Sequence, residues 1–174
     1  MKTFGLFFVP LLFMIASLTA AAQNTPRLAA DAFYKFDRSH SQIFNRQNID
    51  SRKQYFSAEL YRLFLNEIKR EAVYLKKNPG DKPYFGDGLP FQPVREKCED
   101  GPNGRYRSLA IKQEFQKASR AVVTATFAYP SPCRQNEPVV YTIGMIRTGG
   151  KWVIDDINYG EDTTLKQRLQ RKEY

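Results

Sequence analysis

The hydrophobic pattern changes period once along the chain, near Gly104, and that change limits the fold more than any single motif does. Before it, apolar side chains recur at three- and four-residue steps, the spacing that collects them on one face of an α-helix. After it they alternate, which collects them on one face of a β-strand. Helices first, then consecutive strands joined by short turns, predict an α+β domain with an antiparallel meander.

The helical half divides in two. Ala29, Ala32, Phe33, Phe36, His40, Ile43 and Phe44 predict a first helix with one apolar stripe. Asp50-Ser51 marks a second start, where Ser51 and Gln54 have capping-box spacing and Ser57 offers an alternative cap. Leu60, Phe64, Ile68, Ala72 and Leu75 form the second stripe, with Tyr61 and Leu65 beside it, and Asn78-Pro79-Gly80 ends it. Residues 78–104 hold five Pro and five Gly, too many for a regular element, so they predict a long ordered loop. In the strand half Leu109, Ile111 and Phe115 share one face. Lys117-Ala118-Ser119 turns the chain, and the alternation Ala121, Val123, Ala125, Phe127, Tyr129 gives a second strand. Val139, Tyr141, Ile143 and Met145 make a third, Gly149-Gly150 a hairpin turn, and residues 151–157 a fourth. Thr163 or Thr164 is placed to cap a short last helix with Leu165 and Leu169 inward.

The first 22 residues read as a secretory leader rather than as part of the fold. Met1-Lys2 carries a positive charge, Phe4 to Ala16 is an almost unbroken apolar run, and Ala20-Ala21-Ala22 precedes Gln23. An uncleaved anchor is the alternative. Cleavage leaves residues 23–174 as one domain without a second long apolar run, expected in the periplasm or secreted. The whole chain carries +9, and loss of Lys2 leaves 26 basic against 18 acidic side chains, or +8. Export argues against nucleic acid as the partner of that charge and favours anionic envelope material. In an oxidising compartment Cys98 and Cys133 are expected to pair. The closed loop of about 35 residues would contribute roughly 3–4 kcal/mol on the chain-entropy model. Two free thiols are the alternative, without the C-x-x-C spacing of a redox pair.

Four segments carry a resemblance: Ala32-Phe33-Tyr34, Tyr55-Phe56-Ser57-Ala58-Glu59-Leu60, Tyr84-Phe85-Gly86-Asp87-Gly88-Leu89-Pro90-Phe91, and Gly149-Gly150-Lys151-Trp152-Val153-Ile154-Asp155-Asp156-Ile157. In their order the chain resembles the cone-shaped, cystatin-like domains related to nuclear transport factor 2. Within that superfamily it is most similar to an uncharacterised group of exported bacterial proteins. The resemblance implies two N-terminal helices packed on a curved antiparallel sheet of four or more strands, a short C-terminal helix, and often a pocket between the layers. It implies no one activity, because the fold hosts isomerases, hydratases, transport adaptors and binding modules.

Few residues are suited to chemistry. His40 is the only imidazole and rides the apolar stripe with Phe36 and Phe44, where it is either a pocket base or a helix-edge histidine bonded to a carbonyl. Strict alternation puts Asp155 and Asp156 on opposite faces, with Asp156 sharing parity with Trp152 and Ile154, near Tyr34 or His40; a bulge would exchange the two. One of these carboxylates is either a pocket base of the kind the ketosteroid-isomerase-like members imply or a plain hydrogen-bond acceptor. Tyr34, Tyr61, Tyr129 and Tyr141 either line a cavity or pack the core. A single histidine excludes metal sites built on two or three imidazoles, and no cofactor motif is present: Gly86-Asp87-Gly88 lacks the lysine and helix of a phosphate loop. No residue is assigned as catalytic. The expectation is an exported small-ligand or protein-binding accessory module, with a homodimer through the sheet face also open. A cofactor-free isomerase or lyase using Asp155 or Asp156 with His40, and an inhibitor or immunity-type protein of an envelope enzyme, are the alternatives.

Overall fold

The structure, a computed structural model, describes residues 25–93, 108–128, 137–160 and 162–172. Residues 1–22, read above as a leader, lie outside the described residues, as do Cys98, Cys133 and Tyr129 and with them the expected disulfide.

Helix α1, Pro26–Arg38, opens in the way its sequence favours. Thr25 accepts from Leu28 N at 3.2 Å, and Pro26 stands in the first turn, where its missing N–H costs nothing. The helix stops six residues short of the predicted Phe44. Ser39 Oγ donates to Phe36 O at 2.9 Å, the His40 ring nitrogen Nδ1 lies 2.7 Å from the same carbonyl, and the Gln42 amide donates to Asp37 O at 2.6 Å. These side chains satisfy the terminal carbonyls that another helical turn would have used. Asn45 then caps a second helix, α2, Arg46–Arg52, so Asp50-Ser51 lies inside a helix rather than at its start. After a single 3₁₀ turn, Lys53–Tyr55, Ser57 accepts from Leu60 N at 3.0 Å and opens α3, Ala58–Lys77. Among the described residues the predicted helical half therefore holds three α-helices before the sheet.

Along α3 the buried face runs Leu60, Leu63, Phe64, Glu67, Glu71, while Ala72 and Leu75 are exposed. The second half of the stripe thus buries two carboxylates where hydrophobic periodicity predicted apolar side chains.

The sheet is a four-stranded antiparallel meander in the order β1-β2-β3-β4: Ser108–Gln116, Arg120–Ala128, Val139–Thr148 and Lys151–Asn158. Gly149 and Gly150, at φ of 56° and 79°, make the two-residue turn between β3 and β4, which needs positive φ at both positions. Ala121, Val123, Ala125 and Phe127 face inward opposite Met145, Ile143, Tyr141 and Val139. Two bulges break the predicted alternation. One between Gln113 and Phe115 puts Phe115 opposite Val122 and so on the outer face, away from Leu109 and Ile111. The other, at Asp155, puts Asp156 opposite Gly144 while Ile154 and Ile157 both keep the inner face.

Helix α1 lies on β1, β2 and β4. The free edge of β4 is closed by Ser57, whose N–H donates to Ile154 O at 2.8 Å, and by a bridge from Asn158 to Thr164. Thr164 caps the short helix α4, Leu165–Leu169, with a capping box completed by Gln167, and α4 packs against α3 and β4. The loop after α3 contributes Phe85, Leu89 and Phe91 to the core. The Phe91 ring sits 5.2–5.5 Å from those of Phe33, Phe56 and Phe64. Burial of this kind, at about 1.5–3 kcal/mol for each large side chain, orders a segment that has no secondary structure of its own.

Candidate functional site

The loop that carries Phe85 to Phe91 is fastened to four other segments. Glu71 of α3 accepts from Phe85 N at 2.9 Å, and Gln42 O accepts from Leu89 N at 2.7 Å. The Tyr159 hydroxyl donates to Pro90 O at 2.9 Å, and the Gln92 amide donates to the buried Asp37 carboxylate. Gly88 is fixed at φ 126°, and a Cβ there would meet Gln42 O at 2.8 Å, so glycine is what allows the close approach.

Held this way, the loop is a partition between two depressions. On one side lies an open groove of about 640 Å³ against Gln42 to Phe44. Its charged groups already have partners: Lys82 pairs with Asp87, Asp81 accepts from Tyr74 Oη, and Glu71 holds Phe85 N. On the other side lies a cleft of about 320 Å³ between the loop, the start of β3, the end of β4 and α4. Tyr84, Tyr141, Tyr159, Val139, Leu89 and Arg168 shape it.

The cleft continues a row of aromatic rings that begins in the core. Tyr34 on α1 meets Phe127 edge-on at 5.4 Å, Phe127 meets Tyr141 at 5.1 Å, and Tyr141 meets Tyr159 at 4.9 Å. Edge-to-face rings at these separations are mutually attractive and stiff. The Arg168 guanidinium covers the Tyr159 ring at 4.5 Å from its centre. Burial pushes the Tyr159 hydroxyl far above the ordinary phenol range, so it remains a hydrogen-bond donor at every physiological pH.

Of the candidate pocket residues drawn from the sequence, Tyr141 alone lines this cleft among the described residues. Tyr34 is fully buried behind it. His40 is exposed, stacked on Phe36 with ring centres 3.7 Å apart, and bonded to the Phe36 carbonyl. Tyr61 donates to Asp50 at 2.7 Å on the far side of α3's first turn; that bond, then the Arg46 guanidinium, holds the Asp50 carboxyl below its usual range. Trp152 is buried at the opposite end of β4, seven residues or roughly 23 Å of extended chain from Tyr159. Asp155 pairs with Lys166 Nζ at 2.9 Å, and Asp156 accepts from the Ile157 and Lys166 N–H groups, each at 2.9 Å. Lys166 also binds Glu59 at 2.7 Å. Burial depresses the Lys166 ammonium, but the bonds to Glu59 and Asp155 outweigh it and raise the pKa overall. No contact joins the imidazole to either aspartate among the described residues.

The cleft's other aromatic members carry no spacing in the sequence that marks them as site residues. Tyr84 belongs to the loop motif, and Tyr159 follows the last strand by one residue. No group of three or more His, Cys, Asp or Glu able to hold a metal, and no helix long and apolar enough to cross a membrane, occurs among the described residues. No family model matches the chain, and no curated protein or solved structure is significantly similar to it.

Proposed function

We propose that this protein is an exported binding module that takes a small planar aromatic group, free or carried on a partner, into the cleft between the 84–92 loop and the ends of β3 and β4. The observation that carries the reading is the run of edge-packed rings from Tyr34 to Tyr159, ending in an opening of about 320 Å³. That volume is at the small end of ligand pockets, enough for one or two fused rings. Tyrosines offer a flat guest both apolar faces and hydroxyl edges without the entropy cost of long flexible side chains.

The leader-like first 22 residues and the resemblance to exported cone-shaped domains related to nuclear transport factor 2 support placing this activity outside the cytoplasm. An antiparallel meander with a helix lying on its inner face supports that resemblance, with the cleft as the mouth of the cone. Protein recovered from the periplasm or medium should begin close to Gln23 by intact mass and show no free thiol after denaturation; a retained Met1 or two reactive cysteines would contradict export with a bridge.

Binding is tested with anilinonaphthalene sulfonate, a fused-ring probe whose fluorescence rises in apolar sites. Val139→Trp fills the cleft from β3, at the margin of the core opposite Phe127. The native protein should bind the probe saturably and the filled variant should not. Equal binding by both would place the site elsewhere.

A further inference from the structure

Two buried carboxylates four residues apart on α3 hold the two walls of the cleft. Glu71 grips the loop wall through Phe85 N. Glu67, fully buried, grips the C-terminal segment: it receives Arg171 Nη2 at 2.6 Å and the Arg70 guanidinium beside it. Arg70 in turn donates to the carbonyls of Leu169 at 2.9 Å and Arg171 at 2.7 Å, fixing the chain just beyond α4. Arg171 then closes the figure, because its guanidinium lies 3.6 Å over the centre of the Tyr84 ring. A single side chain thereby spans from the segment that positions Arg168 to the loop that positions Tyr84, two residues that line the cleft.

We propose that Arg171 is the latch of the cleft: its stacking on Tyr84, braced by Glu67, sets the gap between the loop and the C-terminal segment, and its release admits the guest. This rests on the cleft being the binding site, and it adds how access is controlled. The stack has the features of a reversible closure. One partner, Tyr84, is 46% exposed, so water competes for the face that Arg171 covers. The other is anchored by a buried carboxylate that keeps a second guanidinium when Arg171 leaves, so opening does not strand a bare buried charge. The loop's remaining ties at Gln42, Pro90 and Asp37 confine the movement to its 84–88 portion.

The test is backbone hydrogen exchange on the full chain without any ligand, with Arg171→Ala and Arg171→Lys. The latch predicts that amides of Phe85, Gly86 and Gly88 exchange about ten-fold faster or more in Arg171→Ala. It predicts a smaller increase in Arg171→Lys, which keeps a charge for Glu67 but lacks the flat face. Amides of β2 and β3 should be unchanged in both. Loop exchange within about two-fold of the parent, or an equal rise throughout the sheet, overturns the latch. Anilinonaphthalene sulfonate added afterwards separates the two ideas: faster association with Arg171→Ala supports gating. Faster loop exchange with no probe binding by either protein would leave the latch standing and remove the cleft as its purpose.

Discussion

Replacing Arg52 with methionine should be among the most damaging single changes available in this chain. Its side chain is fully buried, as is that of Asp37. Arg52 Nε donates to Asp37 Oδ1 at 2.7 Å, Nη1 to Asn48 O at 2.8 Å and Nη2 to Ser41 O at 3.0 Å, while the other Asp37 oxygen receives Gln92. The guanidinium therefore joins the end of α1, the 41–48 segment and, through Asp37, the last residues of the loop. Methionine fills most of the volume but leaves a buried carboxylate with one amide donor and removes a donor from the Ser41 and Asn48 carbonyls, of which Asn48 O keeps Ser51 Oγ. Breaking a buried pair from one side costs about 3–5 kcal/mol, a third or more of the 5–15 kcal/mol that holds a typical domain together. With a urea slope of about 2 kcal/mol/M, a loss near 4 kcal/mol lowers the midpoint by about 2 M at an unchanged slope. Asp37→Leu alone should cost a similar amount by stranding the guanidinium. The double variant, with both charges gone, should lose no more than either single one, a coupling of about 4 kcal/mol or more. Urea unfolding of the four proteins near neutral pH measures this. Additive losses, or an Arg52→Met cost below about 1 kcal/mol, would refute the view that this pair organises the segments around it.

Trp152 is 3% exposed, so its fluorescence should resist iodide in the native state, and Trp152→Ala should cost roughly 3–5 kcal/mol as a core loss; free quenching would overturn its placement. Gly88→Ala forces both a positive φ and a contact with Gln42 O, and should lower the melting temperature and release the loop, seen as lost protection at Leu89 N. Lys166 has a raised pKa, so its pairing stabilises below the unfolded value of 10.5 and the benefit disappears as pH climbs through the higher folded value. The stability gap between the parent and Lys166→Gln, up to about 1 kcal/mol, should therefore be constant from neutral pH to about pH 10 and close above it; a gap that persists unchanged at higher pH would contradict the assignment.

The strands were legible because period-two alternation is a local signal and the glycine pair leaves one turn geometry. The bulges were not fixed by the pattern, since one extra residue costs it nothing that composition records; the one at Asp155 stood only as an open alternative, yet together they moved Phe115 to the outer face and separated Asp156 from Trp152 and Ile154. The end of α1 was hidden for a related reason. His40, Ile43 and Phe44 keep helical spacing, while the competition of Ser39, His40 and Gln42 for terminal carbonyls is a matter of side-chain geometry. Glu67 and Glu71 fell outside the apolar stripe because their burial depends on Arg171 and Phe85, one of them about a hundred residues away. The cleft was half visible: Tyr141 stood out by its strand parity, whereas Tyr159 and Arg168 join it only once α4 folds back along β4.

Two-dimensional amide NMR spectra of the full chain, recorded while indole is added, test the binding-cleft account most directly. The account predicts saturable shifts confined to the amides around Tyr84 to Gln92, Val139 to Tyr141, Tyr159 and Arg168. Shifts confined instead to the outer face of the sheet around Phe115 and Val122, or no saturable shift at all, would contradict it.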